Sequence, residues 1–350
     1  MVRLPFLPVL GLLLGALPLH RAGAVILRTG EAPATPPTGR LADSGWQWQI
    51  GPTTCGTLVG PSHVLTATHL GLWNGSRIQW NGLDYVVVEA VDHPDSDLRL
   101  LKVGGRFSTW APMNRTTTEV RKEVVVFGRG GPPGAPVVAN NKVCGWNWNP
   151  PDGRLRWGTN QIDSVVTGNE SPPGHYIIGM FDEKGGNLEA TFSTGDSGGG
   201  VFLQTPTGWA LAGVISAVQG TFKATADGPL LYAALFDRRP FMEEMSPGVW
   251  DYDPNRYRRP GTFWMASRIS SYAFWIDVRM SEPPQSPTPR LMEAPSAEGP
   301  FQEVAAYAVD AGNRRIQAPH PGRTSQFYRI EGDGQLRMES IGTGFLFLRY

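Results

Sequence analysis

Short apolar runs, each ended within a few residues by glycine, proline, asparagine or aspartate, follow one another along this chain from Gly45 onward. Examples are TLVGPSHVLTA, RIQWNGLDYVVVEAV, EVVVFGRGGPPG, HYIIGMF and WALAGVISAV. Many of them alternate polar with apolar residues or are rich in β-branched residues, which is typical of strands. The pair Asn81-Gly82 between two such runs is a strong hairpin signal. The pattern predicts an antiparallel all-β barrel or sandwich.

Helical periodicity is found in one later segment, Ala266 to Met280, which predicts a C-terminal helix. The next ten residues, 281–290, read SEPPQSPTPR and contain four prolines, which predicts a semi-rigid linker. Residues 291–350 contain short apolar runs with polar turns and predict a small β-rich module. The alternative is a tail that docks on the preceding domain.

The first 24 residues carry an export pattern. Arg3 precedes the apolar run Leu4 to Leu19, and the small residues AGA occupy Ala22 to Ala24. This order predicts a signal peptide over residues 1–24, cleaved before Val25, and therefore a secreted or periplasmic protein. The apolar run is shorter than the roughly 20 residues that span a bilayer, so no membrane span is expected.

Charge and cysteine content exclude several function classes. The chain carries 31 basic and 31 acidic residues, so it has no net field to attract nucleic acid or an anionic membrane. Its two cysteines, Cys55 and Cys144, form no C-x-x-C motif, and no His/Cys group has ligand spacing, so neither a metal nor a cofactor is predicted. The two cysteines can pair in an oxidising compartment or remain buried thiols.

The segment FSTGDSGGGVF places Ser197 between an aspartate and three glycines. It fits G-x-S-x-G through Gly195, Ser197 and Gly199, although Gly-Asp-Ser-Gly is also ordinary turn chemistry. A serine hydroxyl becomes a nucleophile only beside a histidine that a carboxylate orients. An α/β-hydrolase places its histidine after the serine, which would leave His320 alone in the small module.

Three segments together resemble the chymotrypsin-like (trypsin-like) serine proteases. The family's histidine segment is similar to TLVGPSHVLTATHL, which matches His69 to the catalytic histidine. Its aspartate segment is similar to DHPDSDLRLLKV, which matches Asp97, and its serine segment to TGDSGGGVF, which matches Ser197. The resemblance implies a secreted, bacterial-type member whose residues 25–280 form two six-stranded antiparallel β-barrels and a C-terminal helix, followed by the small β-module.

The resemblance also implies residue roles in a serine endopeptidase. Ser197 attacks the scissile carbonyl and forms an acyl-enzyme, His69 transfers the proton, and Asp97 orients the imidazole. The backbone N–H groups of Gly195 and Ser197 form the oxyanion hole. Ser216 matches the serine that supports the aspartate.

The matching substrate pocket has Thr191 at its base, Val218 on its neck, and Phe192 and Ser216 beside them. A neutral base with a β-branched neck resembles elastase-type enzymes, which favour small apolar residues at the P1 position. The implied partner is a protein or peptide substrate, and the protein itself is expected to be a monomer. The residues from about 222 to 263 form an insert near this wall, either a lid or a surface excursion.

Activation in this family requires a new N-terminal Ile or Val, whose ammonium pairs with the aspartate before the nucleophile, here Asp196. No Arg-Ile-Val-Gly-Gly junction occurs in the chain. Removal of residues 1–24 would expose Val25, so we expect Val25 to supply the ammonium without a zymogen step. The alternative is an internal arginine or polar network, because an unpaired buried carboxylate is costly.

Two alternatives to an endopeptidase stay open at the level of sequence. Folds of this kind also occur without activity, which would make the chain a catalytically silent binding protein. A serine esterase would use the same His69, Asp97 and Ser197 and differ only in the leaving group.

Overall fold

The computed structural model describes residues 25–168, 173–246, 248–252, 261–285, 288–320, 326–331, 335–342 and 344–350. The predicted signal peptide, residues 1–24, lies outside the described residues, so its cleavage and the location of the protein stay predictions. Within the described ranges, no helix has the length and apolar character needed to cross a membrane.

The first part of the chain forms eight strands: β1 (Ile26–Leu27), β2 (Gly30–Glu31), β3 (Thr57–Gly60), β4 (His63–Thr66), β5 (Arg77–Trp80), β6 (Leu83–Asp92), β7 (Arg99–Val103) and β8 (Gly105–Arg106). Of these, β3 to β7 build a five-stranded antiparallel sheet in the order β3-β4-β7-β6-β5, whereas β1 and β2 belong to a separate small sheet. The predicted hairpin is confirmed, because Trp80 pairs with Leu83. Asn81 and Gly82 turn there with φ values of 47° and 76°, a backbone that Asn-Gly adopts readily.

Apolar side chains of this sheet enclose the first core. Phe107 lies at its centre, with its ring 4.5 Å from that of Tyr85 and 5.7 Å from that of Trp80. Burial of aromatic rings supplies much of the energy of such a core. The packing fixes the end of β4 and the start of β7, the two points between which His69 and Asp97 lie.

The second sheet has seven antiparallel strands in the order β12-β9-β16-β17-β22-β14-β13. The strands and the helix of this part are β9 (Glu123–Gly128), β10 (Pro133–Ala139), β11 (Lys142–Trp148), β12 (Arg156–Gln161), β13 (Ser164–Gly168), β14 (Gly174–Met180), β15 (Ala190–Thr191), β16 (Gly200–Thr205), β17 (Gly208–Val218), β18 (Thr221–Lys223), β19 (Leu230–Leu235), β20 (Met242–Ser246), β21 (Val249–Asp251), β22 (Phe263–Arg268) and α1 (Ile269–Ser281). Runs such as VVVF in β9 are continuous in apolar residues because both faces of this sheet are covered.

The C-terminal helix begins later than the sequence predicts. Residues 263–268 form β22, which pairs with β17 and β14, and α1 begins at Ile269. Sheet pairing overrides the helical pattern at Ala266, whose side chain is buried in a core of the seven-stranded sheet. Tyr272 and Ile276 turn the apolar face of α1 onto the neighbouring core.

The insert after residue 221 forms strands that extend a third sheet. β18 to β21 join the hairpin β10–β11 in the order β10-β11-β19-β18-β20-β21. Residues 253–260 of the insert lie outside the described residues. Three short 3-10 helices connect other elements, at Gly39–Leu41, Trp46–Trp48 and Thr68–Leu70.

The C-terminal segment forms two small sheets, ordered β24-β23-β27 and β28-β29-β26-β25-β8. Its strands are β23 (Arg290–Ala294), β24 (Gln302–Glu303), β25 (Tyr307–Asp310), β26 (Arg315–Pro319), β27 (Phe327–Glu331), β28 (Arg337–Gly342) and β29 (Phe345–Arg349). β25 pairs with β8, with Ala308 opposite Gly105, so the segment's larger sheet includes the strand that follows β7 in the chain. We call the five-stranded sheet and the core around Phe107 the first barrel. The domain boundaries at residues 281 and 291 stay a prediction.

The prediction of an all-β, chymotrypsin-like architecture with a C-terminal helix is confirmed by this arrangement. The two sheets that flank the site hold five and seven strands in place of six each. Cys55 and Cys144 are both free and buried, which settles the question that the sequence left open.

Candidate active site

An imidazole and a buried carboxylate meet between the two sheets. His69 Nδ1 lies 2.8 Å from Asp97 Oδ2, and the backbone N–H of His69 donates to Asp97 Oδ1 at 3.1 Å. His69 sits in the 3-10 turn after β4, and Asp97 in the turn before β7. The Asp97 carboxylate is buried, whereas the His69 side chain is 46% exposed. The second ring nitrogen of the imidazole is therefore accessible from the cleft.

Ser216 holds the far side of the same carboxylate. Its Oγ donates to Asp97 Oδ2 at 2.6 Å, so three donors fix Asp97. The pKa of His69 is raised, first by its hydrogen bond to Asp97 and further by the charge of that carboxylate, against the lowering effect of partial burial. An oriented imidazole with a raised pKa is suited to accept a proton from a nucleophile.

The turn that carries Ser197 is fixed to β17 on one side of the site. The N–H of Gly198 donates to Ile215 O at 2.8 Å, and the N–H of Ile215 donates to Gly199 O at 2.9 Å. A Cβ at Gly198 would lie 2.6 Å from Thr66 Oγ1 and 2.8 Å from Leu70 Cδ1. Because these two residues flank His69 along the chain, the serine turn and the histidine turn are in direct contact.

The contact between the predicted nucleophile and its base is not formed. Among the described residues, the half-buried Ser197 makes no side-chain hydrogen bond to His69, although His69 and Asp97 are joined. In enzymes without substrate this bond is often long and shortens in the complex. The structure therefore joins two of the three predicted catalytic side chains and brings the third segment alongside.

The predicted oxyanion donors lie at the start of the same turn. Within the described part of the chain, the N–H groups of Gly195 and Ser197 have no backbone hydrogen-bond acceptor, whereas that of Asp196 between them donates to Ser193 O. The Gly195 carbonyl points the other way and accepts the thiol of Cys55 at 3.6 Å. Two N–H groups of one turn that have no backbone acceptor are the kind of donors that stabilise an oxyanion.

Asp196 points away from the substrate side into the protein. Its Oδ1 accepts the N–H of Gly130 at 2.7 Å, and its Oδ2 accepts the N–H of Ser193 at 2.8 Å. The backbone of Val25 supplies a further hydrogen bond to the carboxylate. Burial raises the pKa of Asp196 to about 6, although these hydrogen bonds oppose the shift. The described donors are neutral groups, as in the polar-network alternative.

Val25, for which the sequence predicts an activating role, is within hydrogen-bond distance of Asp196 through its backbone. Its side chain is fully buried, and the next two residues form β1, which pairs with β15 so that Ile26 lies opposite Thr191. The segment that follows the predicted cleavage point is therefore built into the protein beside the predicted pocket.

The four predicted pocket residues lie on two segments, around β15 and at the end of β17. Thr191 and Phe192 are fully buried at the end of β15, and Ser216 and Val218 end β17. The hydroxyl of Ser216 is engaged by the carboxylate of Asp97.

Trp264 is a neighbour of two of these predicted residues, and the sequence analysis did not identify it. It is fully buried on β22, directly opposite Val218 in the strand pairing. Its ring lies 5.6 Å from that of Phe192 at an interplanar angle of 87°. Side chains of paired residues share one face of a sheet, so the indole lies on the same face as Val218, and it also packs over Gly179 on the other neighbouring strand. The sequence analysis predicts a helix from Ala266, whereas residues 263–268 form β22. Recognising this strand would have pointed to Trp264.

The described residues offer no binding group for a metal. Within the described ranges, no set of three His, Cys, Asp or Glu side chains is clustered closely enough to hold an ion. The arrangement supplies an oriented imidazole that can accept a proton from an alcohol brought within hydrogen-bond distance.

The paired sheets, the C-terminal helix and the site between them define a chymotrypsin-like fold. No family model and no curated protein sequence matches the chain. Among solved structures, the chain is similar to neuropsin, a serine protease expressed in the limbic system of mouse brain, with 16% identity over 67% of this chain and 95% of that chain. The TM-score is 0.41, and a likeness at this level carries no argument about activity.

Proposed function

We propose that this protein is a serine endopeptidase that hydrolyses peptide bonds through His69, Asp97 and Ser197. Ser197 Oγ bonds to the scissile carbonyl carbon while its proton passes to His69, and the oxyanion is held by the N–H groups of Gly195 and Ser197. The C–N bond then breaks as His69 returns the proton to the leaving amine. Water, deprotonated by His69, hydrolyses the acyl-enzyme and restores Ser197.

One observation carries this proposal: the hydrogen-bonded chain from Ser216 through Asp97 to His69. A buried carboxylate that accepts three hydrogen bonds and still faces a half-exposed imidazole has a clear use as an orienting group. A merely structural histidine would not need its ring nitrogen aligned on a buried acid next to a glycine-rich serine turn.

The substrate is proposed to be a protein or peptide with a small residue at P1. The indole of Trp264 packs against the ring of Phe192 and stands opposite Val218, and two such bulky neighbours favour glycine or alanine at P1 over larger side chains. We also propose that residues 1–24 direct export, that the mature protein begins at Val25, and that it acts as a secreted or periplasmic monomer.

Labelling with a fluorophosphonate probe tests the proposal directly. The probe is expected to modify the wild-type protein once, at Ser197, and the labelled protein is expected to lose activity on casein. The variant Ser197→Ala should not react, whereas Ser271→Ala, an exposed serine on α1, should react like the wild type. Absence of labelling in a folded wild-type protein would reject the endopeptidase.

A catalytically silent binding protein is the second candidate. It is favoured by the missing hydrogen bond between Ser197 and His69 and by the indole of Trp264 in the pocket. Probe labelling together with casein cleavage separates this candidate from the protease. Labelling with hydrolysis of small esters but not of casein would indicate the serine esterase.

A further inference from the structure

A cleft of about 590 Å³ opens beside the first barrel and has an unusual charge balance. Two arginines, Arg129 and Arg154, line it together with the indoles of Trp46 and Trp80 and amide side chains such as that of Gln79. No aspartate or glutamate is among the described residues that line it. We call it the arginine cleft.

A second cleft of about 490 Å³ joins the arginine cleft to the candidate active site. Both clefts are lined by Pro52 and Arg129, and the second also reaches Leu70 and Gly195. Gly195 carries a proposed oxyanion donor, and Leu70 follows His69. The two clefts therefore adjoin at Arg129, between Gly195 at one end and Arg154 at the other, and Asp152 is the one acidic residue among the described residues that line the second cleft.

Arg129 brings a positive charge that no described carboxylate neutralises. Its Nε donates to Ile50 O at 2.7 Å and its Nη1 to Gly153 O at 2.8 Å, and both acceptors are neutral carbonyls. Burial lowers the pKa of this arginine, as expected of a partly desolvated cation. A carboxylate that arrives in the cleft would relieve that cost and gain charge-assisted hydrogen bonds.

Arg154 adds a second cation at the far end. Its side chain is 61% exposed, and its Nε lies 3.7 Å from Asp152 Oδ2. Asp152 is already held by the buried Arg156, at 3.0 Å through Nη1 and 3.1 Å through Nη2. One carboxylate thus faces two guanidinium groups, so Arg154 remains able to bind another anion.

The connecting cleft is separate from the predicted P1 pocket. It is lined by Gly195 and Leu70 but by none of the four predicted pocket residues or Trp264. A substrate chain that enters it therefore contacts residues other than those of the P1 pocket, as expected of residues that follow the scissile bond.

We propose that the arginine cleft binds acidic residues of the polypeptide substrate that follow the scissile bond, an inference that rests on the proposed endopeptidase function. Carboxylate side chains meet Arg129 and Arg154, and the indoles of Trp46 and Trp80 cover the stems of these residues. The cleft gives the enzyme a preference for proteins with small residues before the cut and acidic residues after it.

Matched internally quenched peptides test this preference. They share one sequence up to the scissile bond and carry either glutamates or glutamines in the four positions after it. We expect kcat/KM of the full mature protein to be about tenfold higher for the acidic peptide at low salt, with the difference shrinking at high salt. Arg154→Gln should lower the preference, and Arg154→Glu should reverse it, whereas Arg337→Gln on exposed β28 should leave it unchanged.

Two further substrates make the outcome decisive. A peptide with an aminocoumarin leaving group, which has no residues after the cut, should be cleaved equally by the wild type and the Arg154 variants. Equal cleavage of the acidic and neutral peptides by an active wild type overturns the proposal. The proposal is also overturned if kcat/KM rises only when the neutral peptide carries a free C-terminal carboxylate, because the cleft would then bind chain ends and not acidic side chains.

If no substrate is cleaved, the proposed function fails, and the cleft is then tested by binding alone. The acidic peptide should quench the fluorescence of Trp46 and Trp80 in the wild type and not in Arg154→Glu. Lack of any difference would overturn the cleft as an acidic-peptide site.

Discussion

The backbone N–H of Val25 is hydrogen-bonded to the carboxylate of Asp196, and both residues are fully buried. Asp196 directly precedes the proposed nucleophile, and its other described donors are neutral. Cleavage before Val25 would convert that amide into an ammonium without moving the segment. A buried carboxylate is stabilised far more by a cation than by an amide.

A mature protein that begins at Val25 should therefore be more active than one extended by a single glycine. The extension removes the ammonium from Asp196 and loosens the turn that aims the N–H groups of Gly195 and Ser197. We expect kcat/KM to fall by about 10²-fold or more, the scale of losing an oxyanion donor. Equal turnover of the two forms would show that the neutral hydrogen bonds to Asp196 suffice.

The pH dependence of unfolding reports on the same carboxylate. With residues 1–24 attached, the pKa of Asp196 is raised from 3.8 to about 6, so the folded state holds its proton more tightly than the unfolded state. That contribution is present below pH 3.8 and is lost as the pH rises through 6, a change on the order of 2 to 3 kcal/mol. Urea unfolding at several pH values should show this component in the uncleaved wild type, and Asp196→Asn should lack it.

Activity should rise with pH as His69 loses its proton. The hydrogen bond to Asp97 raises the pKa of His69, so the midpoint of kcat/KM lies above the ordinary value for histidine. Asp97→Asn removes that effect, and we expect a lower midpoint and a kcat reduced by about 10⁴-fold. A Ser216→Ala variant should shift the midpoint less. A midpoint that stays in place in Asp97→Asn contradicts the assigned pair.

Much of this site follows from short sequence signals because the signals are local. The turn residues Asn81-Gly82 specify their hairpin through backbone preference alone, and His69 and Asp97 are recognised by the strands beside them. A strand end followed by a polar turn can therefore be recognised in the sequence without knowledge of its tertiary contacts.

Long-range pairing could not be predicted in the same way. Trp264 stands opposite Val218 only because β22 and β17 are neighbours, although 46 positions separate the two residues in the chain. The pairing of β25 with β8 likewise joins residues about 200 positions apart. No local pattern encodes such partners, since they depend on how whole sheets assemble.

Removing the indole of Trp264 should widen the pocket. Trp264→Leu is expected to increase kcat/KM for substrates with phenylalanine at P1 by about tenfold relative to those with alanine. It should also destabilise the protein by a few kcal/mol, since large-to-small core changes cost roughly 2 to 5 kcal/mol. Trp110→Ala, at a partly exposed tryptophan, is the control, and an unchanged P1 profile in Trp264→Leu rejects the pocket assignment.

The C-terminal segment should unfold together with the first barrel. Ala308 on β25 is buried in the barrel core, so Ala308→Asp places a charge there that has no partner, at a cost of about 3 to 5 kcal/mol. Ala311→Asp introduces the same group at an exposed turn and should change stability by less than about 0.5 kcal/mol. Thermal unfolding and peptidase activity are measured together. Loss of both in Ala308→Asp at the same temperature is expected, whereas an independent module would melt while peptidase activity persists.

Gly198 should be essential for bringing the serine turn against the histidine turn. Its φ is +83°, and an added Cβ would lie 2.6 Å from both Cys55 O and Thr66 Oγ1. Gly198→Ala therefore pushes Ser197 away from His69, and a displacement near 1 Å lowers kcat/KM by about 10²-fold. Gly208→Ala has a similar left-handed backbone, with φ +122°, but no atom within 4 Å of the new Cβ. Both variants should lose stability through backbone strain, but only Gly198→Ala should lose activity in the folded state. Activity is measured as kcat/KM per fluorophosphonate-reactive site. Equal losses of activity in the two variants would mean that the contact has no catalytic role.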